Sequence, residues 1–118
     1  MTINETLPMC PDTELTHEDP VALSEPIEVG PFSQGVVFIS VLDLKEGTVT
    51  TEVGISPTGY EDWATQWTTL STYDDLTSIG MHAIPIQNFG NWLRLRFVLN
   101  TDVPNGKATV VAWFSGDG

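Results

Sequence analysis

"GNWLRLRFVLNTDVPNGKATVVAWFSGDG", residues Gly90–Gly118, holds two alternating apolar runs joined by a turn, together with three of the chain's four basic residues. In Trp92–Asn100, Leu93, Leu95, Phe97 and Leu99 fall on one side of an extended backbone, because successive side chains of a strand point to opposite faces. Trp92, Arg94, Arg96 and Val98 fall on the other. Lys107–Ser115 repeats the pattern, with Ala108, Val110, Ala112 and Phe114 against Thr109, Val111 and Trp113. The connection Thr101–Gly106 contains Asn105-Gly106, a step that tolerates the positive φ of a tight hairpin. The pattern predicts a pair of half-buried strands. The Ala108–Phe114 face is set against Leu93–Leu99, and Trp113 lies on the same side as Trp92 and the two arginines.

Working back from this stretch, the period stays at two. Gly35–Leu44 places Val37, Ile39 and Val41 on one face and Phe38, Ser40 and Leu42 on the other; with both faces substantially apolar, it reads as a central strand. A turn at Lys45–Gly47 leads into Thr48–Ile55, with Val49, Val53 and Ile55 inward and Thr50 and Glu52 outward. Ser56–Asp62 is a loop by its Pro, Gly and Asp content. Trp63–Ser71 is a further aromatic, Thr-rich strand run, Thr72–Leu76 a turn, and Thr77–Ile86 a strand with Ile79, Met81 and Ala83 on one face. Pro85 belongs at a strand end or a sheet edge, since it cannot donate to a ladder. No window carries an N-cap followed by a 3.6-residue apolar stripe. The expected fold is all-β: an antiparallel β-sandwich or jelly roll of seven to eight strands.

The chain divides near residue 31. Residues 1–31 hold five of the eight prolines, seven acidic residues and no Lys or Arg. Proline fixes φ and removes a donor, so this segment reads as an extended arm with at most short strand pieces at Val21–Leu23 and Ile27–Val29. Residues 32–118 form the sandwich domain. The arm is expected to pack along its own domain or on a neighbour, and Leu7, Pro8, Met9, Pro11, Leu15, Pro20, Val21 and Leu23 are its candidate partner-binding residues.

At 118 residues the chain is long enough for one hydrophobic core. Its net charge of −12 repels phosphate backbones and anionic lipid, which disfavours nucleic-acid and membrane partners. It suits a soluble surface protein, a high-salt setting or a basic partner. Cys10 is the only cysteine, so an intrachain disulfide and a multi-cysteine metal site are both impossible. The N-terminus has neither the basic start nor the apolar run of a secretory signal, and no segment approaches the roughly 20 apolar residues of a membrane span.

Chemistry is sparse. His17 and His82 stand alone, without a second His or Cys at ligand spacing. No G-x-S-x-G elbow is present, and the adjacent carboxylates (Glu18–Asp19, Glu61–Asp62, Asp74–Asp75) lie in turns rather than flanking a cleft from separate elements. The loops "GYEDW" and "YDDL" offer oxygens of the kind calcium takes, without EF-hand spacing. No catalytic residue, cofactor or metal is expected. Trp63, Trp67, Trp92 and Trp113, with Arg94 and Arg96 beside them, form either core and subunit interface or a sugar-stacking platform.

"ISPTGYEDWATQWTTL", then "GNWLRLRFVL" and a terminal "ATVVAWFSGDG", resemble small β-sandwich structural proteins of tailed bacteriophages. In that group a strand ending in Ser leads to a Gly-containing turn and a Trp-bearing strand, and an aromatic-Leu-Arg strand precedes the final hairpin. Ser56, Gly59, Trp63 or Trp67, Trp92, Leu93, Arg94 and Arg96 occupy those places, over roughly residues 35–115. "SPTGYEDW" replaces a shorter turn, and the acidic arm is not part of the pattern. The resemblance implies a non-enzymatic virion component. The simplest is a head decoration (cement) protein on the capsid exterior, partnered by the major capsid protein, commonly trimeric and gripping its neighbours by a terminal arm. The alternatives are a carbohydrate-binding module and a tail or baseplate component.

Overall fold

The computed structural model describes residues 4–117. Nine strands and one helical turn follow in order: β1 (Asn4–Thr16), β2 (Val21–Leu23), β3 (Ile27–Glu28), β4 (Gln34–Lys45), β5 (Thr48–Ser56), α1 (Trp63–Gln66), β6 (Thr68–Leu76), β7 (Gly80–Gln87), β8 (Trp92–Asn100) and β9 (Lys107–Asp117). One sheet, here sheet A, runs β1-β9-β4-β7. The other, sheet B, runs β2-β8-β5-β6, with β3 continuing β2 along β8. All pairings are antiparallel. Counting β2 and β3 as one interrupted strand leaves four strands in each sheet. Apart from the β5–β6 hairpin, the connections between these strands arch over the core from one sheet to the other. This is the double-sheet arrangement of a jelly roll.

The alternation in sequence becomes the core directly. In β4, Val37, Ile39 and Val41 are buried, as are Ala108, Val110, Ala112 and Phe114 in β9. They meet Leu93, Leu95, Phe97 and Leu99 of β8 and Val49 and Val53 of β5. Phe114 is flanked edge-on by Phe32 at 5.6 Å and Phe89 at 5.7 Å between ring centroids, a geometry that suits the positive edge and negative face of aromatic rings. As expected, β4 is central in its sheet and Pro85 lies on an edge strand, β7.

Three expectations are corrected. First, β8 and β9 are not a paired hairpin: they lie in different sheets, facing each other across the core. The facing of Ala108–Phe114 and Leu93–Leu99 holds, but Trp113 is on the outer surface of sheet A and Trp92 on that of sheet B. Both a hairpin and an arch produce the same alternation, and the six-residue connection Thr101–Gly106 serves either. Second, Trp63–Gln66 is a helical turn rather than strand, and the strand continues through Thr72–Leu76, where a turn was expected. The cause is Asp62, whose side chain accepts from the Ala64 N–H and nucleates a turn. Third, residues 4–16, expected to be extended but without a strand of their own, are a long strand packed along their own domain. They form β1, paired with β9 from Asn4↔Asp117 to Thr16↔Lys107. Its prolines are tolerated because β1 is an edge strand with register shifts between Pro8 and Cys10 and between Cys10 and Thr13. The short strands at Val21–Leu23 and Ile27–Glu28 lie where expected. Residues 1–3 of the expected arm, and Gly118, lie outside the described residues.

Candidate functional site

Met9 and Leu15, expected to grip a partner, are core side chains at 1% and 0% exposure, and Leu7 packs against that core. Strand alternation turns them inward once β1 joins sheet A. Pro8 and Pro11 are exposed and Pro20 is half-buried. Val21 and Leu23 are exposed at 39% and 40%, on the outer edge of sheet B.

Most of the expected aromatic platform assembles on the outer face of sheet B, where it serves the fold. Ser56 Oγ accepts from the N–H groups of Thr58 and Gly59, turning the chain back over the sheet. Thr58 Oγ1 donates to Gln66 Oε1, and Asp62 takes the Thr65 hydroxyl at 2.7 Å. The indole N–H of Trp67 donates to the Tyr60 carbonyl at 2.6 Å, and its ring stacks on Trp63 with centroids 6.1 Å apart and planes 14° off parallel. Trp63 covers Gly54 and Trp92 covers Gly59, whose φ of +73° suits glycine. Arg94, 8% exposed, donates from Nε to the Ser24 carbonyl at 2.7 Å and from Nη1 to the Glu61 carbonyl at 2.9 Å. Trp63, Trp67, Trp92 and Arg94 therefore clamp the loop 57–67 and the strand β2 to sheet B. Arg96, half-exposed, pairs with Glu52 at 2.7 Å on the same face. Glu61 and Asp62 spend their carbonyl and carboxylate on this clamp. Among the described residues no three His, Cys, Asp or Glu gather as a metal would need.

Trp113 is separate. The register of sheet A aligns its outward residues in rows across the strands. At the end near residue 117 the row is Asp117, Gln34 and Gln87. Next come Thr6, Ser115, Val36 and Pro85, then Pro8, Trp113, Phe38 and Ala83, then Val111, Ser40 and Met81. A solvent-open cleft of about 610 Å³ lies over the first two rows, lined by Gln34, Val36, Pro85, Gln87, Ser115 and Asp117. At the far end, Leu42, Ile79 and Met81 are large apolar side chains exposed at 46%, 63% and 59%. Gln34 and Leu42 are eight residues apart on β4, roughly 27 Å, while Met81, opposite Ser40, lies about 13 Å from the Val36–Pro85 row.

The run Ile79–Met81–Ala83 was legible as one face of a strand, but that face is outward, the buried positions being Ile84 and Ile86. Gln34, Gln87, Ser115 and Asp117 were not anticipated. No local signal marks them, since they meet only through pairing of β4, β7 and β9. No helix among the described residues is long and apolar enough to cross a membrane.

No protein-family model matches the chain, and no curated protein matches it at a significant level. Among solved structures it is similar to the low-affinity xylan-binding module CBM86 of Roseburia intestinalis, with a TM-score of 0.56 and 14% identity over 100% of this chain and 96% of that one. It is also similar to PirA, with a TM-score of 0.50 and 10% identity over 94% and 92%. A third likeness is to a chain of the infectious bursal disease virus Gt strain, with a TM-score of 0.54 and 8% identity over 98% of this chain and 33% of that one. This chain thus matches about a third of the viral chain's length. At these identities the likeness is one of fold: a two-sheet antiparallel sandwich found in proteins of unlike setting.

Proposed function

We propose that this chain is a non-enzymatic structural protein of a virion, a decoration (cement) protein on the head exterior with the major capsid protein as its partner. The observation that carries this reading is the set of aliphatic side chains Leu42, Ile79 and Met81, left exposed at one end of sheet A. Charge-depleted patches with Met and large apolar side chains are the composition of interface cores. The bacteriophage resemblance of the sequence supports it, as does a jelly-roll architecture that viral capsid domains also use. A net charge of −12 keeps decorated particles apart in solution. Self-association into trimers belongs to this reading.

Particles of the phage whose genome encodes this chain test it. The protein is expected to co-purify with heads, and antibody labelling is expected on the head exterior. Added back to heads stripped of it, the wild-type chain is expected to rebind, and Ile79→Asp and Met81→Asp to rebind at least ~10-fold more weakly with unchanged urea midpoints. Heads that lack the protein, or equal rebinding by folded variants, would overturn the reading.

A further inference from the structure

We propose that the polar end of the outer face of sheet A binds a neutral glycan chain, across the cleft formed by β9, β4 and β7. The assignment stands on the row geometry and uses none of the aliphatic side chains Leu42, Ile79 and Met81, which begin one row beyond Trp113 and Phe38.

Three features define the ligand. The first is chemical mixture. Gln34 and Gln87 each present an amide oxygen and an amide N–H₂, Ser115 a hydroxyl, and Asp117 a carboxylate, on three neighbouring strands. Donors and acceptors are therefore interspersed over the first two rows of the face. Vicinal hydroxyls, each both donor and acceptor, satisfy such a row better than a carboxylate, a phosphate or a hydrocarbon does. Asp117 also has unmet capacity: Oδ2 accepts from Gln34 Nε2 at 3.3 Å, while Oδ1 is buried with no partner among the described residues.

The second feature is the apolar flank. Val36 and Pro85 lie in the next row, and Trp113 and Phe38 directly beyond it, with Pro8 on the far side of the indole. Trp113 and Phe38 are half-buried, so each keeps an exposed part on the face. A pyranose carries C–H groups on its ring faces and hydroxyls on its rim, and it matches an aromatic surface beside a polar row. The third is charge. No Lys or Arg lines the cleft, and the chain carries −12, so anionic ligands are repelled. The cleft is open at the surface rather than enclosed, which suits an extended chain crossing the strands.

The test uses the full chain labelled with ¹⁵N and titrated with xylohexaose, cellohexaose, mannohexaose and maltohexaose, with hexagalacturonate as the anionic control. At least one neutral hexasaccharide is expected to shift amides of β4, β7 and β9 near Gln34, Gln87 and Ser115, with a Kd of about 1 mM or tighter. Trp113→Ala and Gln87→Ala are each expected to weaken it ~10-fold or more while keeping the wild-type amide spectrum elsewhere. Tyr60→Ala, exposed on the other sheet, is expected to bind as wild type. Absence of shifts with every neutral oligosaccharide up to about 10 mM would overturn the proposal. So would shifts confined to the Tyr60–Trp67 loop, or tighter binding of hexagalacturonate. The wild-type shift map stands on its own if a variant fails to fold.

Discussion

Arg94 and Ser24, seventy residues apart in sequence, are joined by a buried hydrogen bond, and Leu95 beside Arg94 closes the junction. The Arg94 guanidinium donates to the Ser24 carbonyl at 2.7 Å, and the Ser24 hydroxyl accepts from the N–H of Leu95 at 2.8 Å. The Ser24 N–H completes the junction by donating to the Leu95 carbonyl at 2.9 Å. A cation that is almost fully buried and satisfied by carbonyl oxygens is held by geometry rather than by a counter-charge, so its removal leaves the acceptors of Ser24 and Glu61 unmet. Arg94→Ala is expected to lower stability by about 2–4 kcal/mol in urea unfolding. Arg94→Lys is expected to recover only part of that, because a single ammonium lacks the fork that reaches two separate carbonyls.

The Trp63 ring lies where a side chain at position 54 would go. A Cβ at Gly54 would sit well inside van der Waals contact with that ring. Gly54→Ala is therefore expected to cost about 1–3 kcal/mol by overpacking and to shift tryptophan emission as the loop 57–67 lifts. In a Trp63→Ala background the same substitution is expected to be close to neutral, so a double-mutant cycle reads the coupling directly. Additive effects would mean the ring does not rest on Gly54 in solution.

The fold was legible because β4, β5, β8 and β9 alternate over most of their length. Burial follows that alternation throughout β9, and elsewhere with breaks such as Gly54 beneath Trp63 and Arg94 beneath the loop 57–67. What the sequence could not supply was partnership. Whether Trp92–Asn100 and Lys107–Ser115 pair in one sheet or face across the core leaves the same period of two, and only the second places Trp113 apart from Trp92. The prolines of β1 read as an extended arm without a strand because an edge strand with bulges asks for few ladder donors. The platform residues Trp63, Trp67 and Arg94 were recognisable as a group, and the structure spends them on the loop. The cleft residues Gln34, Gln87 and Asp117 are ordinary surface residues until register sets them side by side.

Cys10 gives a pH signature. It is 6% exposed, opposite Ala112 in the β1–β9 ladder, and burial pushes its thiol pKa up. A folded-state pKa above the unfolded one means the native chain holds the proton more tightly. The contribution to stability is then complete below the ordinary thiol range and is lost as pH rises through it. The urea midpoint of the wild type is expected to fall more between neutral and alkaline pH than that of Cys10→Ala. Iodoacetamide labelling of the native protein is expected to be more than about 100-fold slower than in urea, since it needs β1 to open. Fast labelling of the native protein would place β1 off the sheet.

Removing β1 decides whether the N-terminal segment is fold or appendage. Met9 and Leu15 are fully buried, and Leu7 and Cys10 contribute further apolar surface to the same core. Together they account for roughly 5–9 kcal/mol of burial, comparable to the whole stability of about 5–15 kcal/mol typical of a domain. Their loss also bares the edge of β9, which carries a long alternating run able to pair with another chain. A chain lacking residues 1–16 is expected to lose its cooperative unfolding transition and to aggregate by light scattering. A synthetic peptide of residues 1–17 added during refolding is expected to restore a soluble species by re-forming the β1–β9 ladder. A truncated chain that stays monomeric, with a native-like urea transition, would instead make the segment a detachable arm, free to lie on a neighbouring subunit.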